Sequence, residues 1–181
     1  EDTKKPNANY NDKIKLNFAL FTMQRTDLQV QISSQQIEGD PNSFIYYTAN
    51  ASSGYNKGFE LETYYQISSN LNFKYSFGYL KTHINQFSYP YENNMILAGN
   101  RNQAMSPNFN SSLNINYDHN TGLFIYGNIT SKDSYYFSDS HDQISKPYSL
   151  ININFGYKKD NFIISLWTKN LTDERYPIRG F

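Results

Sequence analysis

From Gly58 to Ile67 apolar and polar positions alternate, with Phe59, Leu61, Thr63, Tyr65 and Ile67 on one side and Glu60, Glu62, Tyr64 and Gln66 on the other. A period of two sends successive side chains to opposite faces, so the stretch predicts a β-strand with one greasy and one wet face. After Ser68-Ser69-Asn70 the pattern restarts, with Leu71, Phe73, Tyr75, Phe77 and Tyr79 against Asn72, Lys74, Ser76 and Gly78. Together the two runs predict a hairpin with a short polar turn.

Three further runs carry the same period. Asn108 to Tyr117 sets Phe109, Leu113, Ile115 and Tyr117 against Asn108, Asn110, Asn114 and Asn116. Leu123 to Thr130 is less regular, because Phe124 and Tyr126 fall on its polar side. Tyr148 to Tyr157 sets Ile151, Ile153, Phe155 and Tyr157 against Asn152, Asn154 and Gly156. A last strand is expected from Phe162 to Asn170, with Phe162, Ile164 and Leu166 sharing a face. At the start of the chain Ile14, Leu16, Phe18, Leu20, Leu28, Val30 and Ile32 share one parity across a polar middle. This predicts one strand of about twenty residues, long for a membrane strand; a hairpin turning at Gln24-Arg25-Thr26 is the alternative. The reading gives seven strands and almost no helical periodicity.

The connections differ in length by rim. Ser68 to Asn70, Asp118 to Gly122 and Lys158 to Asn161 are short, whereas Ser33 to Lys57, Ile84 to Ala104 and Ser131 to Lys146 are long and polar. Short and long links alternate along the chain, so each kind collects at one end of the sheet. An all-β, antiparallel up-and-down meander with tight turns at one rim and long loops at the other is the layout of a transmembrane β-barrel. A soluble sandwich more often uses Greek-key links.

Composition bears on which solvent the apolar face meets. Charged residues are 18% and aromatics 17%, with Tyr 17 and Phe 13. Ordinary soluble surfaces carry more charge than this. The wet faces are Asn, Ser, Gln, Glu and Gly, which suits a crowded aqueous lumen, and Tyr65, Tyr79, Tyr117 and Tyr157 sit near the ends of the apolar faces as an interfacial girdle does. Lys+Arg 16 against Asp+Glu 16 argues against a nucleic-acid partner. With Cys 0 there is neither a disulfide framework nor a thiolate metal site. Residues 1–5 begin no apolar stretch, so no signal peptide is expected there, and no apolar run is long enough for a spanning helix. On the residues alone two readings fit this layout: a soluble, Tyr-rich β-sheet binding module of carbohydrate type, and a passive porin-type barrel.

The residues offer little for catalysis. His83, His119 and His141 are scattered and lack metal-ligand spacing. Asp139-Ser140-His141-Asp142 holds triad residue types side by side, but triad members must converge in space beside an oxyanion hole. Glu60 and Glu62 share the wet face, where pairing with Lys74 is the simpler role. No enzyme activity, cofactor or metal site is expected. The candidates for ligand binding lie in the long loops: Tyr89, Tyr91, Arg101, Tyr135, Tyr136 and His141 offer flat aromatic surface and a cation.

The stretch Leu166-Trp167-Thr168-Lys169-Asn170-Leu171-Thr172-Asp173-Glu174-Arg175-Tyr176 resembles the C-terminal signature of TonB-dependent outer-membrane receptors. Two patches agree with it. Gly99 to Pro107 resembles that family's Pro-led entry to a barrel strand, and Asn50-Ala51 followed by Gly58-Phe59-Glu60-Leu61-Glu62 is similar to its Gly-x-Glu-x-Glu strand. The resemblance covers nearly the whole chain from Ala19 onward. It implies about seven strands of a barrel of roughly 22 with a plugged lumen, siderophore-receptor-like, in the bacterial outer membrane. It also implies that residues 1–181 are the C-terminal portion of the barrel, with the plug, the TonB box and the last strand outside this chain, and that Phe181 is not the native terminal aromatic. The partners so implied are outer-membrane lipid, a metal-chelate ligand, a ferric siderophore first among them, and the TonB complex through the N-terminal region.

Overall fold

The computed structural model describes residues 7–10, 13–91 and 94–180. The expectations for residues 1–5 and for Phe181 lie outside the described residues. Among these the chain forms β1 (Asn7–Tyr10), β2 (Ile14–Gln35), β3 (Phe44–Gln66), β4 (Leu71–Ile84), β5 (Phe87–Tyr91), β6 (Asn94–Ala98), β7 (Phe109–Asp118), β8 (Leu123–Lys132), β9 (Tyr135–Tyr136), β10 (Ile144–Ser145), β11 (Tyr148–Lys159) and β12 (Phe162–Thr168). The main sheet has eight strands in the order β1-β2-β3-β4-β7-β8-β11-β12, and β5 with β6 and β9 with β10 form two small ribbons in the long loops. Every pairing is antiparallel, so the sheet is an up-and-down meander that does not close.

Three sequence readings are refined. The sheet has eight strands, because Asn7–Tyr10 pairs with the start of β2 from Asn7↔Asn17 to Tyr10↔Ile14. The first long segment is one strand of 22 residues, which removes the hairpin alternative. The link Ser33 to Lys57 is mostly strand: β2 and β3 stay in one register up to Gln35↔Phe44, and the turn between them is closed by Gln36 N donating to Ser43 O at 3.0 Å. Some 9–11 residues cross a membrane, whereas 22 residues at about 3.3 Å each span roughly 70 Å. The upper half of the β2–β3 ribbon therefore projects past the long-loop rim.

The register joins the apolar positions into one face. Leu20, Phe59 and Tyr79 form one row, Phe18, Leu61 and Phe77 the next, and Tyr117, Ile125, Phe155 and Leu166 continue it on the far side. Nothing among the described residues covers this face: Leu20 is 74% exposed and Leu166 65%. A soluble single sheet would have to bury such a face against a second layer. Aromatics mark both margins, with Tyr65 edge-on to Phe73 at 5.4 Å by the short turns and Phe59 stacked on Tyr79 at 5.7 Å toward the loops. Phe73 and Tyr79 lie about 20 Å apart along β4, comparable with the roughly 25 Å apolar band of a membrane barrel.

The opposite face is wet and hydrogen-bonded sideways. Asn128 donates to Asn114 Oδ1 at 2.9 Å, Asn152 donates to Asn128 Oδ1 at 3.0 Å, and Asn152 Oδ1 accepts from Asn170 N at 2.9 Å. Asn116 donates to Asn72 at 3.1 Å. This is a carboxamide ladder from β4 to the end of β12. Glu62 accepts from Asn17 across the strand pair, and no Glu62–Lys74 ion pair forms among the described residues, because the register sets Lys74 opposite Tyr64 and Asn114. The irregularity at Phe124 and Tyr126 also has a cause. Phe124 lies opposite Gly156, where a Cβ would meet Phe124 Cζ at 2.7 Å, so the ring occupies the space a side chain would take. Phe124 also stacks on Tyr126 at 4.8 Å, and Tyr126 Oη donates to Asp118 at 2.8 Å.

A compact apolar cluster sits at the loop end of the sheet. Val30, Ile32, Ile84, Phe87 and Tyr89 are buried together, with Tyr47 and Ala49 against them. The parity that is exposed at Leu20 is buried at Ile32, which is 0% exposed, because the β5–β6 ribbon lies against the upper part of β2 and β3. Tyr89 meets Tyr47 at 6.4 Å and Tyr47 Oη donates to Pro90 O at 2.6 Å.

Candidate functional site

Two long loops meet above the rim, and the backbone shows how. Gly99 at φ 89° and Asn100 at φ 54° turn the chain back, which lets Arg101 pair with Ile84 at the end of β4. Glycine adopts that left-handed region without penalty and asparagine with little. Gln103 N then donates to Thr82 Oγ1 at 3.1 Å. The same segment is tied to the next loop, where Ala104 N donates to Asp139 Oδ1 and Met105 N to Tyr136 O, both at 2.8 Å.

Arg101 is the hub of this junction. Its Nη2 donates to Ser138 O and to His141 O, both at 2.8 Å, its Nε lies 3.3 Å from Asp142 Oδ1, and its guanidinium lies 3.9 Å from the centre of the Tyr136 ring. The side chain is 11% exposed. A planar five-donor cation suits such a role, since it bonds carbonyls and a carboxylate in plane while stacking on an aromatic face. Arg101 Nη1 and His141 Nε2 are buried without a hydrogen-bond partner.

The six candidate residues therefore divide. Arg101, Tyr136 and His141 converge on one cluster. Tyr89 reaches the same loop by donating from its hydroxyl to Ser140 O at 3.0 Å, but only 6% of it is exposed. Tyr91 turns away and donates to Gln35 O at 2.9 Å. Tyr135, also 6% exposed, meets Phe137 edge-on at 5.6 Å and carries Lys132 Nζ over its ring at 4.9 Å. The anchors Ser138, Asp139 and Asp142 escape a sequence reading: Asp139-Ser140-His141-Asp142 has the residue types of a triad, yet in space it caps a backbone amide and holds Arg101. The other two histidines lie apart, His83 stacked on Tyr55 at 5.6 Å and His119 bonded to Thr121 at 2.8 Å. Among the described residues no group of His, Asp and Glu is placed to hold a metal ion.

Burial and the neighbouring Arg101 push the His141 imidazole below its ordinary value of 6.5, with Gly180 and Asp142 acting more weakly in the opposite sense. A histidine with a depressed folded pKa stabilises the loop fully above 6.5, and that contribution is lost as pH falls through the folded value. Protection of residues 131–146 from proteolysis should therefore decline on mild acidification, and His141→Gln should remove the decline. An identical pH profile in the variant would show that other groups control the loop.

The signature stretch plays a structural part. Asn170 and Asp173 take φ of 51° and 49°, and Asn170 brackets the turn by accepting from Glu174 N at 2.9 Å and donating to Glu174 O at 3.0 Å. Tyr176 then stacks on Tyr148 at 3.9 Å. The motif ends β12 and fastens the following segment to the rim.

An open antiparallel meander with an uncovered apolar face, an amide-lined reverse, tight turns at one rim and interlocked loops at the other is a segment of a transmembrane β-barrel. No helix among the described residues is long and apolar enough to cross a membrane. The chain belongs to the TonB-dependent receptors, a family of bacterial outer-membrane β-barrels: residues 7–171 match the family model described as TonB dependent receptor-like, beta-barrel. Solved structures with the same fold include the siderophore receptor PiuA from Acinetobacter baumannii, at 20% identity and a TM-score of 0.71 over 91% of this chain and 23% of that one. The ferric yersiniabactin uptake receptor FyuA from Yersinia pestis matches at 18% identity and a TM-score of 0.70 over 95% of this chain and 24% of its own. The copper transporter OprC matches at 14% and 0.68, over 94% and 25%. The chain thus spans about a quarter of the length of these structures.

Proposed function

We propose that this chain is the C-terminal part of the barrel of an outer-membrane transport receptor that binds a metal chelate at its long-loop rim, a ferric siderophore first among candidates. Import then draws on energy from the TonB complex through a plug and N-terminal region outside this chain. The observation that carries the reading is the locking of two long loops around Arg101 directly above a membrane-spanning sheet. It holds aromatic and cationic groups in fixed positions at the barrel mouth, where a bulky anionic or catechol-like shell is met by stacking and charge-assisted hydrogen bonds. Binding and release are the whole chemistry in this scheme, and no reaction is assigned. The uncovered apolar face disfavours the soluble binding module, and family membership disfavours the passive porin.

Ferric catecholate, ferric hydroxamate and copper complexes titrated onto the inserted, intact receptor provide the test. Replacing Tyr135 and Tyr136 together with Ala should weaken the complex that binds by about tenfold or more, while leaving barrel assembly unchanged. His119→Ala, in a short turn, should do neither. Because Tyr135 is buried and Tyr136 packs on Arg101, proteolytic protection of residues 131–146 measured on each single variant separates ligand contact from loop packing. Unchanged affinity in the double variant would reduce these rings to packing.

A further inference from the structure

We infer that Lys57 and Lys81 form a binding site for the phosphate group of an anionic membrane lipid at the upper margin of the lipid-facing sheet. The inference rests on the membrane placement proposed above, but not on the chelate. Lys57 shares a face with Phe59 and Leu61, and Lys81 with Tyr79 and Phe77. Their backbones are directly opposite, Lys57↔Lys81, one row beyond Phe59↔Tyr79. Two like charges facing each other across a strand pair are destabilising unless an anion lies between them.

The described residues supply no such anion. Neither lysine takes part in an ion pair among the described residues, and both are exposed. Of the carboxylates in β2, β3 and β4, Glu60 and Glu62 point to the wet side and Asp27 has the parity of that side, opposite to Leu20 and Leu28. The one interaction seen is Lys57 Nζ at 5.2 Å from the centre of the Tyr55 ring, which leaves its other donors free. Below the pair Leu20, Phe59 and Tyr79 line a shallow groove that the two lysines complete, with a volume of about 570 Å³.

A pair of ammonium groups at the top of an apolar, aromatic-floored groove matches one chemistry. A lipid phosphate sits between the ammonium groups while its acyl chain lies along Leu20, Phe59 and Tyr79. The floor decides for lipid over free phosphate, because it is continuous with the rows that meet hydrocarbon.

The intact receptor carrying this chain is reconstituted in phosphatidylethanolamine vesicles with and without phosphatidylglycerol, extracted gently, and its retained lipid counted by native mass spectrometry. Wild type should retain phosphatidylglycerol, and the double variant K57Q/K81Q should bind it about tenfold more weakly. K57R/K81R should restore retention, and K74Q, on the wet face, should not alter it. Heat-modifiable gel mobility confirms that each variant is inserted. Equal retention by wild type and K57Q/K81Q would overturn the site. So would a gain in thermal midpoint from inorganic phosphate alone, in detergent, equal to that from phosphatidylglycerol, since it would identify a free-anion site. Chelate binding measured on the same samples keeps the two proposals apart, because K57Q/K81Q should leave it unchanged.

Discussion

Leu61→Arg should destabilise the inserted receptor by about 2–4 kcal/mol, the cost of a guanidinium on the lipid face near the bilayer midplane. Leu61 lies between Phe18 and Phe77 in register and inside the aromatic margins at Phe59 and Tyr65, nearer to Phe59. Neither neighbour offers an acceptor, so the charge must snorkel or draw water into the hydrocarbon. Glu60→Arg, one residue away, turns toward Ala19 and Gly78 on the wet face and should be much milder. Urea unfolding of both variants in phospholipid vesicles measures the difference. Equal losses would mean that the two faces do not meet different solvents.

The second large effect concerns the isolated chain. The sheet ends in unpaired backbone along the outer side of β12, and β1 covers only Ile14 to Asn17 of the long β2 at the other edge. Open edges of that length pair with other chains, and the apolar face offers a second surface for association. Residues 1–181 alone should therefore be a mixture of oligomers and aggregate in water by light scattering, and should disperse only in detergent. A sharp, cooperative, monomeric unfolding transition without detergent would contradict the membrane assignment.

The faces and the tight turns were legible because alternation is strongest where a strand separates hydrocarbon from water. Phe59 to Tyr79 is such a place, and its register follows the sequence pattern directly. The pattern fades where both faces meet similar surroundings. Asn7–Tyr10 has no alternation to read, and Ala49 to Lys57 looks like loop although it keeps the β2 register from Val30↔Ala49 to Thr22↔Lys57. Arg101 and Tyr136 stood out by residue type, but their contact depends on Asp139 capping Ala104 and on Gly99 reversing the chain, which no spacing encodes. Tyr89 and Tyr135 are loop aromatics of the same residue type, and their burial follows from a core within the loops that no spacing shows.

The asparagine row from Asn114 through Asn128 and Asn152 to Asn170 has no ionisable member, and its links run from carboxamide to carboxamide until the last, which the Asn170 backbone N–H donates. A wall built this way keeps the same charge at every physiological pH and gathers no counterions. Charge on the wet face comes instead from side chains such as Glu60, Glu62 and Lys74 on β3 and β4, so any response of that face to pH or salt belongs to those strands and not to the asparagine row.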